Sequence, residues 1–181
     1  NVVFYRFFNK YNLYEELDID LIKEINKKII NNLIIRFNKL KKRKSIFNDA
    51  YLICGNKTKE PKHIFVLKIL EKELFKEKLQ KLIKQIDACK TPKESLEIIK
   101  KITNVGDFLA YEIWTDLTYF SFFKQKWSDD SFVNIGPGAK WGLEIIYDKK
   151  LNSKELLEKI EYLHKKETQQ KYLNNIIDLF I

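Results

Sequence analysis

Cysteine, histidine and long apolar runs are scarce in this chain, and each shortage excludes a class of protein. Cys54 and Cys89 stand alone in the sequence and offer no disulfide framework. Together with His63 and His164 they form no zinc-binding spacing, so the sequence predicts no metal site. No run of about 18 apolar residues is present, which excludes a membrane-spanning helix. We expect an intracellular protein without a cofactor or a membrane partner, placed in the nucleus or in the cytoplasm or nucleoid of a host.

The charge of the chain is unbalanced towards the basic side. Lys and Arg number 34 against 25 Asp and Glu, which gives a formal net charge of +9. This balance favours an acidic partner, most commonly nucleic acid, although a compositional bias of the source genome is the alternative explanation. With 181 residues, of which 45% are hydrophobic, the chain can bury a core, and we predict a single helical domain over residues 1–181.

Apolar residues recur at helical spacing along most of the chain, and no alternating strand pattern, repeat or flexible linker is visible. The fold class predicted is therefore all-α. The expected helices cover residues 3–16, 18–42, 62–86, 92–102, 107–119, 139–147, 152–165 and 168–180. Thr91 and Asn152 each begin a capping pattern that ends in a glutamate three residues later. Asp18 or Asp20 is the expected cap of the second helix.

Glycine is also rare, and four of the five glycines lie between positions 106 and 142. The helix over 92–102, the turn Asn104-Val105-Gly106 and the helix from Asp107 have the layout of a helix–hairpin–helix over about residues 92–119. Gly106 permits a positive φ, Asn104 tolerates one, and Val105 is expected to pack inward. Such a turn exposes backbone N–H groups that attract a phosphate, although an ordinary helical hairpin needs the same glycine.

Two further segments are candidates for phosphate contacts. Five cations crowd the end of the second predicted helix: Lys39, Lys41, Lys42, Arg43 and Lys44. The helix dipole accounts for about two of them, and the remainder suggest phosphate contacts. The stiff turn Gly136-Pro137-Gly138 leads into another helix, with Lys140 beside its N-terminus. It lacks the spacing and the Ser or Thr of a Walker A loop.

Two carboxylates, Glu112 and Asp116, lie one turn apart on the helix after the hairpin. Such a pair repels, and it is tolerated where it binds a cation, polarises a nucleophile or holds a base edge. A solvated face with lysine neighbours is the alternative. Aromatic residues near the pair suit a pocket for a flipped base, or else belong to the core: Tyr111, Trp114, Trp127 and Trp141. Asp129 and Asp130 are either catalytic carboxylates or loop charges.

At these residues the sequence resembles the α-glutamyl/putrescinyl thymine pyrophosphorylases and the helical domain of 5-hydroxymethyluracil DNA kinases. The matching elements stand in the family's order: Tyr5-Arg6 with Phe8-Asn9, Ala50-Tyr51, residues 106–112 with Asp116-Leu117, and residues 136–139 with Gly142-Leu143. The chain departs from the family where its hairpin begins with Asn104 and where an acidic Cys-containing motif near its end is missing. The resemblance implies a DNA-glycosylase-like helix–hairpin–helix fold.

The resemblance also implies a function. The protein would act on a flipped thymine-derived base of double-stranded DNA, namely 5-hydroxymethyluracil or its pyrophosphorylated form, and an amine would displace pyrophosphate from the activated base. A separate kinase would supply that activated base. The alternatives are a base-excision glycosylase that uses Asp116, Asp129 or Asp130, and a non-enzymatic DNA-binding module.

The site residues implied by the resemblance fall into three groups. The catalytic group contains Arg6, Glu112, Asp116 and Lys140, where the cations hold pyrophosphate and a carboxylate orients or deprotonates the amine. The base pocket contains Asn9, Tyr51, Tyr111 and Trp141. The DNA-backbone contacts are Asn104, Val105, Gly106, Gly136, Gly138, Lys41, Lys42, Arg43 and Lys44.

Overall fold

The computed structural model describes residues 1–48, 59–120 and 127–177, with side chains up to residue 167. Within these ranges the structure is helical and contains no β-strand, which confirms the predicted all-α class. The helices are α1 Val2–Phe8, α2 Leu13–Leu17, α3 Lys27–Lys41, α4 Lys62–Glu73, α5 Lys76–Ala88, α6 Pro92–Ile99, α7 Asp107–Thr118, α8 Pro137–Ile146 and α9 Ser153–Ile177. A short 3₁₀ turn covers Asp129–Ser131.

The chain forms two compact units, Asn1–Asp129 and Asp130–Ile181. The single domain over residues 1–181 stays a prediction. Over the part of the chain that the structure describes, no helix is long and apolar enough to cross a membrane. In the same part, no three His, Cys, Asp or Glu side chains come together in a way that could hold a metal ion.

Several predicted helix boundaries are wrong, and local backbone explains them. The helix expected from residue 18 begins at Lys27, because Asn26 caps it by accepting a hydrogen bond from Ile29 N at 2.9 Å. Asp18 instead ends α2 in a left-handed conformation, with φ of 53°. Asn9, with φ of 46°, likewise divides the segment 3–16 into α1 and α2.

Two other boundaries show the limits of periodicity. The helix expected over 62–86 is divided into α4 and α5 at Leu74 and Phe75, where Phe75 takes an extended conformation. Apolar residues continue at helical spacing across this break, so the sequence pattern does not indicate it. Conversely, the helix expected over 152–165 and the described part of the helix expected over 168–180 form one helix, α9, because no breaker separates them.

The two predicted capping patterns are confirmed. Thr91 Oγ1 accepts from Glu94 N at 3.2 Å, while the Glu94 carboxylate accepts from Lys90 N at 2.8 Å. Asn152 Oδ1 accepts from the first-turn N–H groups of α9, and Glu155 Oε2 accepts from Asn152 N at 3.0 Å. These contacts lie within a few residues of each other, which is why the sequence alone predicts them.

The core of the first unit is rich in aromatic residues, and it positions the candidate site. Phe8 on α1 stacks on Phe37 of α3 with ring centroids 4.5 Å apart, and Phe4 packs beside them. Trp114 on α7 is fully buried, so the alternative that it is a core residue is correct. Because α1 packs against α7, the one polar cation of α1, Arg6, is brought next to the polar face of α7.

The second unit is a helical pair with its own small core. Its buried residues are Leu143 from α8, Leu151 from the connection and Leu156 from α9. Glu144 is tucked against this connection, where it accepts hydrogen bonds from Lys150 and from Leu151 N, at 2.9 and 3.2 Å. These contacts fasten the end of α8 to the start of α9.

Candidate functional site

Arg6, Glu112 and Asp116 form a compact charged cluster. Arg6 Nε and Nη2 donate to the two carboxylate oxygens of Asp116 at 2.6 and 2.5 Å, and Nη1 donates to Glu112 Oε2 at 2.6 Å. The side chains are partly buried, with exposed fractions of 16% for Arg6, 25% for Glu112 and 23% for Asp116. Two-point contact between guanidinium and carboxylate fixes the orientation of both groups.

The cluster resolves the repulsion that the sequence predicts between the two carboxylates. One guanidinium lies between them, and the three side chains together keep a net charge of −1 when all are ionised. A partly exposed group of this charge favours a hydrogen-bond donor or a cation as its ligand. The cluster is therefore suited to bind a hydroxyl or an amine.

Aromatic rings extend from the cluster towards the core. Tyr111, which precedes Glu112 on α7, stacks on Trp114 with ring centroids 6.0 Å apart and an interplanar angle of 17°. Trp127 also contacts Trp114, at 6.4 Å between centroids. Tyr111 is half-buried and Trp114 is buried, so Tyr111 is the more exposed of these two rings.

The remaining predicted base-pocket residues belong to different parts of the chain. Asn9 follows α1 and closes it through a hydrogen bond from its own N–H to Tyr5 O at 2.6 Å. Tyr51 lies outside the described residues. Trp141 belongs to the second unit.

The turn between α6 and α7 has the predicted layout but a different backbone. Asn104 carries the positive φ, 64°, whereas Gly106 is extended with φ of −89° and caps α7, so the prediction of a left-handed Gly106 is wrong. The left-handed residue lies two positions before the capping residue Gly106, where Asn is tolerated. Val105 is buried as predicted. Within the described ranges, no acceptor contacts the N–H groups of Asn104, Gly106 or Asp107.

Side chains brace this turn on both sides. Lys100 Nζ pairs with Asp107 at 2.6 Å and with Glu97 at 3.0 Å, and the hydrogen bond to Asp107 is the main reason that the pKa of Lys100 is raised. On the other side, Thr103 Oγ1 donates to Glu73 Oε1 at 3.0 Å. These contacts therefore connect the turn to both α4 and α7.

The basic cluster after α3 is only partly available to a ligand. Lys44 pairs with Glu16 at 3.0 Å, and Lys10 pairs with the same carboxylate at 2.7 Å. The hydrogen bonds from Lys10 and Lys44 lower the pKa of Glu16. Lys41, Lys42 and Arg43 are exposed, line a shallow concave surface and have no ion pair with any described residue. Three of the four predicted cations are thus exposed without an ion pair to a described residue.

The comparison with known families gives a decisive match. The family model described as the helical domain of 5-hmdU DNA kinase matches residues 1–177. The chain belongs to the 5-hmdU DNA kinase helical-domain family. The resemblance that the sequence motifs indicated is thereby confirmed, whereas the glycosylase-like detail of the fold stays a prediction.

One relative gives the family context. A protein of Bacillus phage SP10 described as 5-hmdU DNA kinase is 31% identical over an alignment that covers 57% of this chain and 18% of the relative. The helical domain thus aligns with less than a fifth of that relative. No solved structure matches the chain. The relative belongs to a bacteriophage, and nothing in the comparisons supports the nuclear location.

The second unit of the helical domain contains the other predicted site residues. α8 begins at Pro137, two residues before the predicted start, and Gly136 caps it with extended backbone. A Cβ atom added at Gly106, Gly136 or Gly138 would meet no atom within 4 Å, so the protein itself makes no close approach there. Lys140 is exposed, and Trp141 has 68% of its surface exposed.

The two units of the helical domain differ in charge, a feature that the residue-by-residue reading missed. Residues 130–181 contain eight lysines and eight acidic residues, so the entire net charge of +9 belongs to residues 1–129. The unequal charge is a property of the sequence, but it becomes visible only when the boundary between the units is known. It favours the first unit as the surface that meets a polyanion.

Proposed function

We propose that this helical domain binds duplex DNA and holds a thymine-derived base, 5-hydroxymethyluracil or its pyrophosphorylated form, for modification. The observation that carries the proposal is membership of a family named for 5-hmdU DNA kinase, matched over residues 1–177. The net charge of residues 1–129 supports it, because DNA is a polyanion. Lys41, Lys42 and Arg43, which have no ion pair with a described residue, supply part of the backbone contact.

The carboxylates of Glu112 and Asp116 are the groups that we assign to the base. Arg6 donates to both carboxylates from three nitrogens, so we assign it the role of a residue that positions these carboxylates. The net charge of −1 suits the hydroxyl of a 5-hydroxymethyl group or the ammonium of an amine substrate. Tyr111, half-buried beside Glu112, would stack on the flipped base.

The finer chemistry that we propose is displacement of pyrophosphate by an amine. The amine nitrogen bonds to the 5-methylene carbon, the bond from that carbon to the pyrophosphate oxygen breaks, and the proton of the amine passes to Asp116 or Glu112. Pyrophosphate needs positive partners, and the N–H groups of Gly106 and Asp107 are the candidates in the first unit. A kinase activity that activates the base would act before this step.

Binding specificity tests the recognition part of the proposal. Two duplexes that differ at one position, thymine against 5-hydroxymethyluracil, are titrated by fluorescence anisotropy. We expect tighter binding of the modified duplex and loss of that preference in Asp116→Asn. The matched control is Asp20→Asn, because Asp20 is an exposed carboxylate of the first unit that does not belong to the cluster. Equal affinity of the unmodified protein for both duplexes would overturn base recognition.

Nucleoside mass spectrometry tests the chemistry. The protein is incubated with duplexes that carry thymine, 5-hydroxymethyluracil or its pyrophosphorylated form, with and without amines. A new base mass that is lost in Asp116→Asn supports the transferase. Free base with an abasic site would establish the glycosylase alternative. Unchanged nucleosides together with intact binding would limit the domain to base recognition and leave the chemistry to a partner.

A further inference from the structure

A second basic surface lies beside the hairpin, outside every residue discussed so far as a DNA contact. It is a concavity of about 200 Å³ between α5 and the turn after α6. One face of α5 contributes Lys78, Lys81 and Gln85, at the spacing of successive helical turns. The turn contributes Lys101, and the end of α4 contributes Glu73.

The charges in this concavity are not balanced. Glu73 accepts hydrogen bonds from Thr103 and from Lys78, the latter at 3.4 Å, so Lys78 offsets the single carboxylate. Lys81 and Lys101 are exposed and pair with no carboxylate in the described ranges. Two cations therefore line the same concave surface without an anion, an arrangement that a bound anion would stabilise.

The position of this surface indicates which anion it receives. Lys101 belongs to the turn whose N–H groups at Asn104, Gly106 and Asp107 have no acceptor in the described structure. Thr103 donates a hydrogen bond to Glu73, so the turn is connected directly to the lining of the concavity. A DNA strand carries a phosphate at every nucleotide, and a strand that contacts the turn can place the next phosphate on α5.

We propose that the concavity binds a phosphodiester group of duplex DNA through Lys81 and Lys101, which extends the DNA contact from the hairpin onto α5. The inference rests on the proposed function, because it needs the helical domain to bind DNA. The inference adds two contact residues, and it implies that the bound DNA strand continues from the hairpin towards α5.

The salt dependence of binding tests the assignment. In Lys81→Gln/Lys101→Gln we expect the slope of log Kd against log salt to fall by roughly 0.9, since the contact with one phosphate is lost. The control Lys76→Gln/Lys93→Gln removes the same net charge from exposed positions on α5 and α6 that do not line the concavity, and its slope should stay close to the original. An unchanged slope in the first variant, or an equal fall in both, would overturn the inference.

A gain of binding gives a second, independent test. Glu73→Gln removes the only carboxylate that lines the concavity, so duplex affinity at low salt should rise roughly threefold, while Glu77→Gln should change it little. No gain in Glu73→Gln would contradict the proposal.

Two further results separate the possible failures. If Lys81→Gln/Lys101→Gln lost affinity for inorganic pyrophosphate but kept the DNA slope, the surface would bind a free anion and the inference would be overturned. If the unmodified protein showed no salt-dependent DNA binding at all, the proposed function itself would fail before any variant was compared.

Discussion

Arg6 binds both carboxylate oxygens of Asp116, from which it is separated by 110 positions in the sequence. The first helix of the chain thereby supplies the cation that makes an i,i+4 carboxylate pair tolerable on α7. Because the same guanidinium also reaches Glu112, the three side chains act as one unit, and removal of any one changes the environment of the other two.

Loss of the guanidinium should cost stability. We expect Arg6→Gln to lower the free energy of unfolding by about 2 kcal/mol, less than the roughly 3–5 kcal/mol of a fully buried pair, because the cluster is partly exposed. Urea denaturation measures the change. The double variant Arg6→Gln/Asp116→Asn should recover part of the loss, because it removes one of the two carboxylates that have lost the guanidinium. Strictly additive effects would contradict the described coupling.

The left-handed residue of the hairpin is Asn104, and its replacement separates backbone from side-chain effects. Asn104→Gly should leave the melting temperature nearly unchanged, because glycine adopts φ of 64° without strain. Asn104→Ala should lose about 1 kcal/mol, since a Cβ atom is unfavourable in this region. Equal losses in the two variants would show that the asparagine side chain, and not the backbone, is what the turn requires.

Substitution of Gly138, near the start of α8, tests whether a ligand approaches the backbone there. Gly138 has open space where a Cβ would lie, so Gly138→Ala should fold normally and gain up to about 1 kcal/mol of helix stability. If DNA contacts the backbone there, affinity should nevertheless fall, which anisotropy titration measures. Gly142→Ala is the control, since Gly142 has the same open space and is not a predicted contact. Unchanged affinity in Gly138→Ala would remove this residue from the DNA surface.

His63 should make stability depend on pH. It is buried beside Phe37, and its Nε2 lies 2.8 Å from Asn38 Oδ1. Burial, with a smaller effect of Lys41, lowers the pKa of His63 below its ordinary value near 6.5. The neutral form is thus favoured in the folded protein, so stability is complete above pH of about 6.5 and declines as the pH falls below it.

Denaturation at neutral and mildly acidic pH measures this effect. His63→Gln should reduce the difference in unfolding free energy between the two pH values. His164→Gln is the control, because His164 is a more exposed histidine in the second unit. A pH dependence that survives unchanged in His63→Gln would assign it to other groups.

Local features of the fold were accessible from the sequence because their causes lie within a few residues. The capping contacts of Thr91 and Asn152, the inward Val105 and the helical class follow from short-range spacing. The family was accessible for a related reason, since its motifs are ordered strings of residues. The left-handed backbone, by contrast, lies at Asn104 and not at Gly106, and the sequence could not separate the two because both residues tolerate that conformation.

What the sequence determined by itself is the helical composition, the family and the sign of the charge. Only the tertiary structure decided that Arg6 belongs to Asp116 and Glu112, that Lys44 is held by Glu16, and that Lys81 faces the same concavity as Lys101. The physical reason is the range of the interactions. Capping and helical periodicity act within one or two turns, whereas these contacts join helices whose packing is set by the shape of an aromatic core.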